Sequence, residues 1–140
     1  MDLASIPPFT RAKCPHCGEE TRVKTRMGRY ELKRRLGIGG MSYVFAAWDA
    51  SLEREVAVKI LNEQYGGDVE RIAQFEREAK ITASLSHPNI VRVFTVGEDL
   101  GRFFIAMELV EGDSLEAEIR RRGAIPEEEI LSMAIEVVHG

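Results

Sequence analysis

Between Leu36 and Val44 the chain reads LGIGGMSYV, three glycines in four positions set between two alternating apolar runs. Such a turn has a bare backbone whose N–H groups can approach a phosphate chain closely. Gly37, Ile38, Gly39, Gly40, Met41 and Ser42 are therefore candidate phosphate-facing residues, with Leu36 and Val44 at the two ends of the turn. A glycine-rich turn alone is a weak signal. Lys59, in Ala57-Val58-Lys59-Ile60, strengthens it, because an ammonium on the next strand can reach the same phosphates. A second chemical motif stands upstream, Cys14-Pro15-His16-Cys17-Gly18. It has the form of one zinc knuckle, two thiolates on a tight turn. A closed structural site needs four ligands, and the chain has no second cysteine pair. Two chains sharing one metal through Cys14 and Cys17, a histidine contribution, and a metal-free reduced turn all remain open.

The elements that position these residues follow from periodicity. From Tyr30 the pattern has period two, with Tyr30, Leu32 and Leu36 expected on one face of a first strand. Tyr43 to Trp48 forms the second strand of a hairpin with the glycines at its tip. Glu55 to Leu61 is the third, with Val56, Val58 and Ile60 on one face and Ala57 with Lys59 on the other. A small residue beside the lysine leaves room for a flat ring. Asp68 caps a helix running to Leu85. At about 100° per residue, Glu78 falls about 60° from Phe75, inside the arc that faces the sheet. It is either a boundary glutamate that reaches water or the partner of a buried cation, and Lys59 is the one lysine on the inner strands. His87-Pro88-Asn89 ends the helix, His87 reading as structural. A fourth strand is expected over Ile90 to Val96, a turn over Gly97 to Gly101, and a fifth strand over Arg102 to Val110. Glu111-Gly112 reads as a hinge. Asp113 and Glu116 form a capping box for a short helix ending at Arg120-Arg121-Arg122 and Gly123. The arginines either satisfy the helix dipole or dock an acidic partner.

Composition narrows the class. The chain has 140 residues, 44% hydrophobic and 30% charged, with net charge -4, which suits a mixed globular domain. Residues 1–29 are net basic and 30–140 net acidic, neither strongly enough to argue for nucleic acid. No apolar run approaches the roughly 18 residues of a membrane span, and no secretory core opens the chain. A cytoplasmic protein is expected, with tethering by segments beyond residue 140 left open. The division expected is a leader with the knuckle over 1–29, a sheet domain over 30–110, and hinge exit with following helices over 111–140, the first thirteen residues being flexible.

Residues 30–140 resemble the N-terminal lobe of a Hanks-type protein kinase with the first helices of its second lobe, and GIGGMSYV is most similar to bacterial serine/threonine kinases of the eukaryotic type. Gly37, Gly39 and Val44 match the family's loop, Ser42 replacing its third glycine. The resemblance implies an α+β fold, a five-stranded antiparallel sheet plus helix αC. It implies ATP and magnesium as cofactors, protein substrates, Lys59 on the α- and β-phosphates and Glu78 as its αC partner. Met107 would be the gatekeeper, the backbone of Glu108 and Val110 would meet the adenine edge, and Leu36, Val44 and Ala57 would enclose the ring. Ser114 or Asp113 would touch the ribose.

The family's H-R-D catalytic loop and magnesium-binding D-F-G are not in the sequence. The expectation is a front part of a longer serine/threonine kinase whose partner is the rest of the second lobe, inactive by itself. The apolar helix from Ile130 to Val138, polar only at Ser132 and Glu136, favours that reading. A non-catalytic nucleotide-binding module and a zinc-linked dimerisation module are the alternatives.

Overall fold

The computed structural model describes residues 11–13, 17–18, 20–22 and 26–140. β1 (Arg11–Lys13) pairs antiparallel with β2 (Glu20–Arg22), Lys13 opposite Glu20, so the segment expected to be a flexible leader already contains a strand. The main sheet is fully antiparallel. It holds β3 (Arg26–Met27), β4 (Tyr30–Ile38), β5 (Ser42–Asp49), β6 (Arg54–Leu61), β7 (Val93–Asp99) and β8 (Arg102–Met107), in the order β3-β4-β5-β6-β8-β7. Five of these strands were expected from the sequence, the first three by their alternation. The sixth, β3, has two residues and lies upstream of Tyr30.

Alternation divides the sheet's residues between two packed faces. Tyr30, Leu32, Phe45, Ala47, Val56, Val58, Ile60, Phe104 and Ala106 bury together with Met27. On the other face Leu61 and Ile105 bury against Phe75 and Ala79 of α1 (Val69–Ser84). Asp68 caps α1 as expected, its carboxylate accepting the Arg71 N–H at 3.1 Å. Leu36 departs from its expected face. Register shifts between Leu32 and Arg34 and again between Arg35 and Gly37 each insert an extra residue into β4. Leu36 falls in the second bulge and is exposed.

The hairpin of β7 and β8 also corrects the sequence expectation. β7 begins at Val93 and runs through Gly97 to Asp99, leaving Leu100-Gly101 as a two-residue turn with φ 52° and 77°, the type I′ pattern. Gly97 is thus a strand residue. A Cβ there would sit 2.8 Å from Phe104 Cζ, so its glycine makes room for a ring on the neighbouring strand rather than for a turn. β8 ends at Met107, short of Val110, because Glu108 leaves the ladder: its N–H donates to Arg92 O at 2.8 Å and its carboxylate accepts the Arg92 N–H at 3.2 Å.

Beyond the sheet, α2 (Leu115–Arg122) starts at Ser114, whose hydroxyl accepts the Ala117 N–H at 3.1 Å. Ser114 caps the helix where Asp113 was expected to. Gly123, at φ 78°, ends it. The arginine run closes on acidic neighbours: Arg121 and Arg122 pair with Glu118, and Arg122 reaches Glu129 of α3 (Glu127–Val138) with two bonds of 2.7 and 2.9 Å. Hydrogen bonds from Arg121 and then Arg122 lower the Glu118 pKa, and the bond from Arg122 lowers that of Glu129. Along α3, Ile130, Leu131, Ile135, Val137 and Val138 are exposed, an apolar surface on the helix.

Gly97→Ala is expected to force Phe104 from its place and destabilise the sheet by about 1–3 kcal/mol, read as a lowered thermal midpoint. An unchanged midpoint would mean that Phe104 relaxes freely.

Candidate functional site

Cross-strand register places the candidate residues on one face. Val44 lies opposite Lys59, which lies opposite Ile105, while Ala46, Ala57 and Met107 form the adjacent row. Val44, Ala57, Lys59 and Met107 therefore share the face that α1 covers in part, and Gly37 pairs with Val44 at its edge. From α1, Glu78 reaches across: its Oε1 lies 2.6 Å from Lys59 Nζ. The lysine side chain is 20% exposed and the glutamate 52%. Glu78 is thus both a boundary residue and the lysine's partner. A pair this solvated contributes about 0–1 kcal/mol to stability. Its effect is positional. It holds the ammonium on the open side of the sheet, 5.8 Å from the Phe75 ring centre.

At the tip of the β4-β5 hairpin, Gly39 N–H donates to Ser42 O at 2.8 Å and Met41 O accepts the Asn62 N–H at 2.9 Å. Asn62 Nδ2 also donates to Tyr43 Oη at 3.2 Å, so Asn62 anchors the turn from the end of β6. No sequence signal marked it. Ile38, Gly39 and Gly40 are exposed, and Ser42 is buried, facing Leu61 across the ladder. The glycines are informative by what they do not meet. A Cβ at Gly37 or Gly40 would meet nothing within 4 Å, and neither these nor Gly39 has the positive φ that demands glycine. The fold does not require them.

Met107 is half-buried at the end of β8, and Glu108 and Val110 follow it, exposed, in the extended segment leading to α2. Ser114 stands at the exit of that segment with its hydroxyl engaged as a cap. Leu36 is exposed beside the turn. His87 is structural as expected, its Nδ1 accepting the Asn89 N–H at 3.1 Å. Of the knuckle, Cys14 lies outside the described residues. Cys17 is an exposed free thiol followed by Gly18 at φ 73°. Among the described residues no group of three or more His, Cys, Asp or Glu is placed to hold a metal.

A glycine turn, a lysine on the third long strand of the sheet, its glutamate on the crossing helix and an extended exit after β8 fall within residues that match the protein kinase domain family, 30–140. The chain belongs to the protein kinase family. Its kinase domain is 43% identical over 111 residues to the serine/threonine-protein kinase PrkC of Bacillus subtilis (strain 168), covering 79% of this chain and 17% of that protein. It is 38% identical over 126 residues to the serine/threonine-protein kinase PknA of Mycobacterium tuberculosis (strain H37Rv), covering 82% of this chain and 29% of that protein. The crystal structure of the M. tuberculosis PknI kinase domain superposes with a TM-score of 0.65 at 32% identity, over 78% of this chain and 44% of that one. This kinase domain therefore spans less than a third of the curated relatives' length and under half of the crystallised domain. The expected α+β architecture holds, with β3 added to the five expected strands.

Proposed function

We propose that this chain is the ATP-binding part of a protein serine/threonine kinase, a protein that transfers the γ-phosphoryl of ATP to Ser/Thr hydroxyls. The observation that carries it is the open glycine turn beside a paired lysine. Gly37 and Gly40 are glycines that neither packing nor backbone conformation requires, and Val44, the residue paired with Gly37, lies opposite Lys59. Bare backbone held open beside an ammonium suits a polyanion that approaches closely. The residues present fit ATP. Gly37, Ile38, Gly39, Gly40, Met41 and Ser42 would line its phosphates and Lys59 would neutralise them, held in place by Glu78. Leu36, Val44, Ala57 and Met107 would enclose the base, the backbone of Glu108 and Val110 would meet its edge, and Ser114 or Asp113 the ribose. ATP supplies the transferable phosphoryl group. The chain's own residues bind, orient and neutralise it. For magnesium the fit is different: the described residues hold no group of three or more His, Cys, Asp or Glu placed to receive it. Protein substrates and the remainder of the second lobe are the partners this reading requires, and the exposed apolar side of α3 is where that remainder would pack. A cytoplasmic location suits such an enzyme, and no described helix is long and apolar enough to cross a membrane.

The test is ATP binding and turnover by the 140-residue chain. Binding is expected without phosphotransfer, because the positioning and charge neutralisation that drive this reaction need groups the sequence does not contain. Lys59→Met should weaken ATP binding at least about tenfold, because it removes a charge-assisted hydrogen bond to the phosphates, while moving stability by no more than about 1 kcal/mol. Equal binding by the parent and Lys59→Met would show that the lysine is misassigned. Phosphotransfer by the purified parent would refute the division of labour.

A second reading concerns the knuckle. β1 and β2 pair antiparallel with Lys13 opposite Glu20, and Gly18 has the positive φ of a tight turn beside Cys17. A zinc ion shared by Cys14 and Cys17 of two chains would complete four ligands and link a dimer. Metal analysis with mass measurement is expected to give one zinc per two chains, and Cys14→Ser to release both metal and dimer. Zinc at one per monomer, or none in reduced, zinc-supplemented protein, would refute the shared site.

A further inference from the structure

We propose that Arg26–Arg29, upstream of the residues that match the kinase family, is a latch that closes the curled sheet, and that Asp99 is a positioning residue for the Lys59 strand through it. The inference rests in part on the nucleotide reading above. In sheet order β3 and β7 are opposite edges, with four strands between them. Yet the turn after β3 meets the end of β7: Gly28 N–H donates to Asp99 Oδ2 at 2.9 Å. Gly28 and Arg29 form a two-residue connection between Met27 and its partner Tyr30. The positive φ at Gly28, 55°, is the feature of a type II′ hairpin and turns the amide out of the strand.

Three further contacts fix the latch. Met27 is buried with Tyr30, Ile60 and Phe104 in the same cluster. The Phe104 ring spans the seam: it packs against Gly97 on one side, would touch a Cβ at Gly28 at 3.4 Å on the other, and meets Tyr30 edge-on with ring centres 5.9 Å apart. Arg29 stacks on Tyr30 and pairs at 3.0 Å with Asp49, which is fully buried and also accepts the Ser51 N–H. A buried carboxylate anchored by a residue of the latch makes release of the latch costly.

The route to the lysine is short. Phe104 lies opposite Ile60, the residue after Lys59, and the next pair along the ladder is Lys59 with Ile105. Closing the sheet presses Phe104 and Tyr30 against β6 from the face opposite the ammonium. Lys59 is thereby backed by packed rings on one face while Glu78 holds its tip on the other. Opening the seam would free Phe104 and loosen β6 where the lysine is set.

The test uses the 140-residue chain, with residue-resolved hydrogen exchange in the absence of nucleotide and ATP affinity in the presence of magnesium as separate readouts. Asp99→Ala removes the acceptor, and Asp99→Asn keeps a carbonyl oxygen in its place. The Gly28, Lys59 and Ile60 amides should exchange about tenfold faster in Asp99→Ala. Exchange in α2 should be unchanged, and ATP affinity should fall with the looser strand. Asp99→Asn should restore slow exchange and affinity. Faster exchange at Gly28 with Lys59 and Ile60 unaltered overturns the positioning role, as does faster exchange spread uniformly into α2 or loss of the fold in both variants. Unchanged exchange at Gly28 overturns the latch itself. A parent chain that binds no ATP overturns the nucleotide reading, while the exchange measurement still decides the latch.

Discussion

The position of one ammonium group constrains this structure. Lys59 stands on β6 with Val44 and Ile105 as its cross-strand neighbours, and its Nζ is held 2.6 Å from Glu78 on a helix that packs through Phe75 and Ala79. The pair is too solvated to hold the fold together. The fold instead holds the pair together, since α1 must lie at one depth and one rotation over the sheet for the carboxylate to arrive. Asp68 fixes where the helix begins, and Phe75, fully buried, fixes which way it turns. A helix started one residue later would turn Glu78 by about 100°, away from the lysine.

The sheet serves that arrangement from its other face. Val56, Val58 and Ile60 bury with Phe45, Phe104 and Tyr30 on the face opposite the ammonium, and β6 is paired along both edges by β5 and β8, so the lysine leaves a central strand rather than a loop. The glycine turn is the opposite kind of element. Its strands are anchored by ladder pairs and by Asn62, while Gly37 and Gly40 border open space. A positioned cation beside an open backbone is the arrangement on which the proposed phosphate site rests.

What was legible in the sequence was whatever local periodicity writes. The split of Val56, Val58 and Ile60 from Ala57 and Lys59 is a two-residue alternation, and Glu78's approach to the sheet is a helical one. The misread features depend on partners far away in the chain. Gly97 looked like a turn residue because glycine usually marks one, but it is small because Phe104 needs the space. Leu36 obeyed alternation until two bulges shifted the register. Ser114, not Asp113, caps α2, a choice between two good capping residues that propensity alone does not resolve. The contact of Gly28 with Asp99 joins residues 71 apart and has no local signature at all.

The measurement that bears most directly on the central assignment is affinity labelling with an acyl-phosphate derivative of ATP, which passes its acyl group to an amine lying beside the bound phosphates. The chain has lysines at 13, 24, 33, 59 and 80, so mass spectrometry of its peptides can distinguish them. The expected result is acylation concentrated on Lys59 and suppressed by excess ATP, with exposed Lys33 and Lys80 labelled only at an ATP-insensitive background. Labelling that spares Lys59, or that excess ATP does not suppress there, would contradict the placement of the nucleotide on this face of the sheet.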